Sequence, residues 1–331
     1  MNWVVVADVH AHNFAMFANP VEYYGNTRLR DIVRAIDHSG QVAAEHKAKL
    51  VVVGDLFHTR GIISVTVQRV IQDALLNIHE NYGVEIYLVA GNHDQANKLG
   101  TITSIDLFGP SFHVCTQYHY EDGVAFLPFR ESREFTIDMF NRAAYDGAEI
   151  VFAHAAVNGA FVGDNEYQPK EQLEVKDIQP ERFKWVFMGH YHRSQMLAPN
   201  TLYCGSLVGH NFSDNEDRGF WVLSDGNLEF INSKAPRFRT ILIQEAADLK
   251  RFNKLLKDGP DDFYKLKVMV DLKLPEFEGN VIIEKKLKVE QARLENLDKL
   301  TEPEIIKAYC ATKGADSEVI QAGLDILNSV K

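Results

Sequence analysis

Seven residues of metal-binding type stand where five apolar runs stop. Asn2–Ala7 ends in Asp8-Val9-His10 and Leu50–Val53 in Gly54-Asp55. Glu85–Ala90 ends in Gly91-Asn92-His93-Asp94, Glu149–Ala153 in His154, and Lys184–Met188 in Gly189-His190-Tyr191-His192. One histidine after a strand is usually only polar. Five such ends are a different matter, because parallel strands set their carboxyl ends side by side, where open α/β sheets bind ligands. Asp, Asn and His suit a borderline metal such as Mn²⁺, Fe²⁺ or Zn²⁺, and the absence of Cys among them disfavours a structural zinc site. Seven ligands fill two sites if one carboxylate bridges, and Asp55, on the central run, is the best candidate for the bridge. Two ions roughly 3.5–4 Å apart activate water and neutralise phosphate oxygens in an in-line attack.

The elements that must position these groups are legible around Leu50–His58 (LVVVGDLFH). A short apolar run of this kind reads as a buried parallel strand, and Gly54 allows a sharp exit. Thr27 opens a helix with Leu29, Ile32, Val33 and Ile36 on one face. Ser64 or Thr66 opens another with Val67, Val70, Ile71, Ala74, Leu75 and Ile78, stopped by Gly83. Strand, helix, strand, helix, strand is the order of a layered α/β fold with parallel strands. Shorter strands follow at His113–Cys115 and Val124–Leu127, a helix over 134–146, a long loop over 155–180, and strands at Leu202–Cys204, Gly219–Leu223 and Leu228–Ile231.

A boundary falls near Ala235-Pro236. The expected organisation is a catalytic domain over 1–235, a small α+β capping or DNA-recognition domain over 236–300, and C-terminal helices over 301–331 as a candidate partner-docking segment. Thr301-Glu302-Pro303-Glu304 is a capping box with Pro in the first turn, so a helix starts there. The last helix is expected over 316–329.

The chain has 331 residues and a net charge of −11, so it is a poor stand-alone clamp on phosphate backbones. If nucleic acid is the substrate, bound metals or a partner must supply much of the positive field. No apolar run approaches the roughly 18–20 residues of a membrane span, and no signal peptide is evident. Three widely spaced cysteines (Cys115, Cys204, Cys310) point to a reducing compartment, hence a cytoplasmic location.

The set Asp8-x-His10, Gly54-Asp55, Gly91-Asn92-His93-Asp94, His154 and Gly189-His190-x-His192 resembles the calcineurin-like metallophosphoesterases. That resemblance covers about residues 1–230 and implies a layered β-sandwich flanked by helices. It also implies two metals, Mn²⁺ first with Mg²⁺, Fe²⁺ or Zn²⁺ as alternatives, one held by Asp8, His10, Asp55 and His192 and the other by Asp55, Asn92, His154 and His190. Gly-Asp-Leu-Phe-His at 54–58, Tyr203-Cys204-Gly205-Ser206-Leu207 and Asp217-Arg218-Gly219-Phe220 resemble the Mre/SbcD-type DNA nucleases, most of all the phage recombination endonucleases. The resemblance implies that His93 assists the leaving oxygen with Asp94 orienting it, and that His58 positions the scissile phosphate. From position alone, His93 follows Asn92 and must lie near the metals, where an imidazole can act as general acid. The plainer alternative for His58 is a hydrogen bond to Asp55.

The leading expectation is therefore a metal-dependent DNA exonuclease and endonuclease of recombination or end processing. By resemblance it is a homodimer with a large SbcC-type, SMC-like ATPase that carries a coiled coil, in the host cytoplasm if phage-encoded. The alternative is a small-substrate phosphoesterase (nucleotidase, cyclic nucleotide phosphodiesterase or protein phosphatase), which shares all the ligands. Arg193, His210 and His12 are candidate substrate contacts. Arg28, Arg30 and Arg34 read as a solvated helix face with phosphate contact as the alternative. Phe14, Phe17 and Tyr23 read as loop packing, with stacking on bases as the alternative. The helical faces near 29–36 and 67–78 are candidate dimer surfaces.

Overall fold

The computed structural model describes residues 1–97, 99–163, 167–214, 217–259, 261–270, 272, 274–277, 279–285, 300–312 and 314–330. Two six-stranded sheets carry the catalytic half. In the first, Trp3–Val6, Lys49–Val53, Ile86–Val89 and His113–Cys115 run parallel in that spatial order, and Gly219–Ser224 and Asn227–Asn232 extend it antiparallel beyond Trp3–Val6. In the second, Trp185–Gly189 lies parallel between Ile150–His154 and Thr201–Tyr203, with Val124–Leu127 parallel on the far side of Ile150–His154. Antiparallel edge strands, His119–Glu121 and Gln195–Ala198, close its two sides.

Period-two alternation decides what each sheet buries. Trp3, Val5, Val51, Val53, Tyr87 and Val89 face Phe126, Phe152, Phe187 and Leu202 across the sandwich. The alternate residues Val4, Val6, Leu50, Val52, Ile86 and Leu88 pack on helices α1 (Thr27–Glu45) and α2 (Val65–Tyr82). On the outer face of the second sheet, Val151, Ala153, Val186 and Met188 meet Met139, Phe140 and Ala143 of the helix Arg133–Tyr145. Both faces of both sheets are thus covered, which explains why the strands read as continuous apolar runs. The fold is a layered α/β sandwich flanked by helices.

Two expectations need correction here. The cap of α1 is Asn26, whose side chain accepts from Leu29 N at 2.9 Å, not Thr27. The faces near 29–36 and 67–78 are buried in the core and offer no surface for a second copy.

The chain divides into two compact units. One comprises Met1–Thr240, Leu255–Lys265 and Phe277–Val281, and the other Ile241–Lys254, Leu266–Glu276 and Ile282–Lys331. The second unit holds Glu302–Thr312 and Ser317–Val330, its last two helices. The Glu304 carboxylate accepts from Thr301 N at 2.7 Å and from its hydroxyl at 2.6 Å, so the Glu304 half of the expected capping box forms. Residues 286–299, inside the expected small domain, lie outside the described residues.

Candidate metal centre

Beyond the strand ends the parallel pairing continues for a few residues, and this holds the ligand-bearing turns in register. Asp8 N donates to Gly54 O at 3.2 Å, His10 N to Asp55 O at 2.9 Å and Ala11 N to Leu56 O at 2.9 Å. Four of the seven residues pay for this with left-handed backbone: Asp8 at φ 49°, His10 at 46°, Asp55 at 54° and His190 at 108°. Such conformations cost of order 1–3 kcal/mol each in non-glycine residues and persist only where the surroundings impose them. The neighbouring glycines are set by close approach. A Cβ on Gly54 would overlap His154 Nδ1, and one on Gly91 would overlap the Asp55 carboxylate.

All seven side chains converge. His10 Nε2 lies 3.0 Å from His192 Nε2 and 3.6 Å from Asp55 Oδ2. The same Asp55 oxygen lies 3.5 Å from His154 Nε2. Asn92 Oδ1 is 3.0 Å from His154 Nε2 and 2.9 Å from His190 Nδ1. Asp8 joins His10 and His192 in one group of close donors, and joins Asp55 and His154 in another. Asp8 is thus common to both groups, while the Asp55 Oδ2 atom lies within 3.6 Å of both His10 and His154, a position from which a carboxylate could bridge two ions.

The donor set fits cations on electrostatic grounds. Burial pushes the Asp55 carboxyl up to about 6 and, with the nearby Asp55 charge, holds Asp8 well above the usual carboxylate range. Burial likewise drives His154 and His190 down to about 3, and lowers His10 and His192. The imidazoles are thus neutral and cannot supply the counter-charge. The tautomers tell the same story. His154 Nδ1 faces Val53 O at 3.0 Å and must carry the ring proton. Its Nε2 lone pair then points at the Asn92 Oδ1 acceptor with no hydrogen between them. A cation between these lone pairs resolves the conflict.

Around this centre the structure corrects one expected role. Asp94 does not orient His93. Its buried carboxylate accepts from Gly91 N (2.9 Å), Phe57 N (3.1 Å) and Leu56 N (3.4 Å), tying the 54–57 turn to the 91–94 turn. The ring of His93 is oriented by the carbonyl of His58, 2.6 Å from its Nδ1, and its backbone N–H donates to Asp55 Oδ1 at 2.7 Å. His58 Nδ1 meets His10 Nδ1 at 3.4 Å, not Asp55, and burial lowers its pKa to about 4.

Of the three candidate substrate contacts, His12 is half-buried against the rings of Phe14 and His58. His210 packs on His10 and His192 at centroid distances of 5.2 and 5.3 Å, and its Nε2 lies 3.3 Å from Asp8 O. Arg193 lies over the Phe161 ring at 5.3 Å. Arg28 departs from both of its readings. It is buried, with its guanidinium 4.8–5.1 Å from the rings of Phe14, Phe238 and Phe263, and it donates to Met16 O and His210 O. Arg30 and Arg34 lie against Asp31. Sequence reasoning missed Arg60, an exposed residue whose charge favours the ionised Asp55 and disfavours a protonated His190. It also missed Arg218, which links the His192 carbonyl to Asp214. Position just past His58 was an available signal for Arg60; for Arg218 the Asp217–Phe220 motif marked the residue but not its contacts.

This fold and this cluster define a metal-dependent hydrolase. The calcineurin-like phosphoesterase family model matches residues 1–194, and the chain belongs to that family, which uses a dimetal centre. The DNA double-strand break repair protein Mre11 of Methanocaldococcus jannaschii is 21% identical over 313 residues, covering 81% of this chain and 80% of that protein. Among solved structures, a dimetal phosphatase from Danio rerio aligns with a TM-score of 0.42 at 9% identity, over 71% of this chain and 96% of that one. A putative 5'-nucleotidase from Staphylococcus aureus, in complex with alpha-ketoglutarate, aligns with a TM-score of 0.41 at 15% identity, over 78% of this chain and 58% of that one. Among the described residues, no helix is long and apolar enough to cross a membrane.

Proposed function

We propose that this chain is a Mn²⁺-dependent DNA nuclease that hydrolyses phosphodiesters, with exonuclease and endonuclease action in recombination or end processing. The observation that carries the reading is the extent of the likeness to the archaeal Mre11. The family match ends at residue 194, whereas that likeness spans 81% of the chain.

Asp8, His10, Asp55 and His192 would hold one ion, and Asp55, Asn92, His154 and His190 the other. Bound there, the pair supplies charge to the phosphate oxygens and lowers the pKa of attacking water. The protein's own groups do the rest. If His10 presents its Nε2 lone pair to an ion, its Nδ1 carries the proton and donates to His58 Nδ1. His58 then keeps its proton on Nε2, where it can donate to a phosphate oxygen. His93, with Nδ1–H donating to the His58 carbonyl, can act as general acid when its ring carries a second proton on Nε2, which passes to the leaving oxygen and leaves the neutral imidazole. His12, Arg193 and His210 are proposed to line the path of the substrate. Residues 236–300 are proposed to guide DNA. Residues 301–331 would dock an ATPase partner with a coiled coil, which would also offset the net charge of −11. The working form would be a cytoplasmic homodimer, in the host if the chain is phage-encoded.

The test is hydrolysis by the purified chain in Mn²⁺ of linear double-stranded DNA, single-stranded circles and bis-p-nitrophenyl phosphate, beside His93→Ala. DNA degradation that the substitution abolishes is expected. Turnover of the small ester with DNA intact, even after a coiled-coil ATPase partner is added, would assign the small-substrate alternative instead.

A further inference from the structure

The substrate side of the site contains a third grouping of donors, made only of nitrogen. His10, His58 and His93 each offer one ring nitrogen within 4.8 Å of the other two. The His10 and His58 Nδ1 atoms are 3.4 Å apart. Two nitrogens bound at about 2.0–2.1 Å to a tetrahedral zinc ion lie roughly 3.3 Å apart, so this pair is already at ligand spacing. His93 is oriented for the same purpose. Its Nδ1 is held on the His58 carbonyl at 2.6 Å, the usual support of a metal-binding imidazole, which leaves Nε2 as its donor.

Competition is built into His10. A neutral imidazole has one lone pair. From Nε2 it serves the group with Asp8, Asp55 and His192; from Nδ1 it serves His58 and His93. It cannot do both without losing its second ring proton. The two choices also differ in hardness. The first group contains carboxylate oxygens, which suit Mn²⁺ and Mg²⁺. The second contains imidazoles alone, which suit Zn²⁺ and its neighbours.

We propose that His10, His58 and His93 form a capture site for Zn²⁺ or a cation of similar softness, and that filling it withdraws His10 from the Asp8–Asp55–His192 position. Capture and the Mn²⁺ position are therefore mutually exclusive through one imidazole. The consequence for activity rests on the nuclease reading above: capture would also occupy His58 and His93, the phosphate and leaving-group residues, so Zn²⁺ would inhibit in competition with Mn²⁺.

The experiment uses the full chain, stripped with chelator and reloaded with Mn²⁺. Zn²⁺ is then titrated in while the six-line resonance of free Mn²⁺ reports release. His58→Gln and His93→Gln are run in parallel, and their Mn²⁺ affinities and circular dichroism are measured separately. Wild type should release one of its two ions as Zn²⁺ is captured. Each variant should need roughly tenfold more Zn²⁺ or beyond for the same release, the scale of losing a supporting group at a metal site. Equal release from wild type and both variants would mean that Zn²⁺ simply replaces Mn²⁺ in the dimetal positions, and would overturn the proposal. So would retention of both Mn²⁺ ions by wild type. His93→Gln removes its own ring packing on His10 but keeps the His10 contacts with His58, His192 and Asp55, so it decides the matter if His58→Gln loads poorly. Bis-p-nitrophenyl phosphate turnover is followed in the same samples and should fall in step with release. A chain that hydrolyses no phosphodiester would refute the functional reading, while Mn²⁺ release would still decide the capture site.

Discussion

Asp94→Ala should destabilise the protein more than loss of a catalytic side chain would. Three backbone N–H groups, of Gly91, Phe57 and Leu56, end on this one buried carboxylate at 2.9, 3.1 and 3.4 Å. Alanine leaves all three buried donors without their acceptor. An unsatisfied buried group costs about 1–3 kcal/mol, and the longest of the three bonds is weak, so the expected loss is about 3–6 kcal/mol. At roughly 2–4 °C per kcal/mol for a domain of this size, the melting temperature should fall by on the order of 10 °C. Asp94→Asn should fall between the two, because its amide can replace one oxygen as acceptor but presents a donor to the other side. The assay is thermal unfolding in chelator, which removes any contribution from metal. Burial pushes this carboxyl up to about 7, so above that pH its own charge costs stability and would offset part of the loss; the comparison therefore belongs at pH 6, below the folded value. A melting temperature for Asp94→Ala within a degree of wild type, with only His93-dependent turnover altered, would refute the reasoning and return Asp94 to the role of orienting His93.

Other consequences follow from the same geometry. Gly54→Ala should cost the second ion before it costs the fold, because the new Cβ overlaps His154 Nδ1; metal content by mass spectrometry should fall towards one ion, and a full load of two would contradict this. Arg28→Ala should lower stability by about 2–4 kcal/mol through lost ring contacts and two backbone hydrogen bonds, without changing the salt dependence of DNA binding as a phosphate contact would. In the metal-free chain, His58, His154 and His190 have folded pKa values of about 4, 3 and 3, below the unfolded 6.5. Their contribution is therefore complete above about pH 6.5 and is lost as pH falls towards 4. Asp55 and Asp94, raised to about 6 and about 7, act in the opposite sense over pH 7 to 4. His10, His192 and His210 add to the histidine side and Asp8 to the carboxylate side, so the histidines outnumber the carboxylates. Chelated protein should melt lower at pH 5 than at pH 7, and the stabilisation gained from Mn²⁺ should be larger at pH 8 than at pH 6; calorimetry showing the reverse order would contradict both.

The strands and the ligand turns were legible because each is local. An apolar run followed by Gly-Asp, Gly-Asn-His or Gly-His-x-His states both a buried parallel strand and its exit. The chemistry of the side chains then needs only the register of the sheet. What was hidden depends on tertiary contact. Arg28 carries the same charge as Arg30 and Arg34 and follows the same helical period, yet it is the one that turns inward among Phe14, Phe238 and Phe263, two of which lie more than 200 residues away. The family resemblance paired Asp94 with His93. The turn instead directs the carboxylate back to the backbone of 56–57 and leaves the His58 carbonyl to hold the ring. Asn26 took the helix cap from Thr27 for a similar reason: a one-residue shift in the loop decides which side chain meets Leu29 N.

The central claim is that seven side chains hold two ions that share Asp55. Metal content of the chain reloaded with Mn²⁺ tests it most directly, compared across wild type, Asn92→Ala and Asp55→Ala. Two ions in wild type, one in Asn92→Ala and fewer than one in Asp55→Ala are expected. Two ions retained by Asp55→Ala, or a wild type that binds a single ion, would contradict the account.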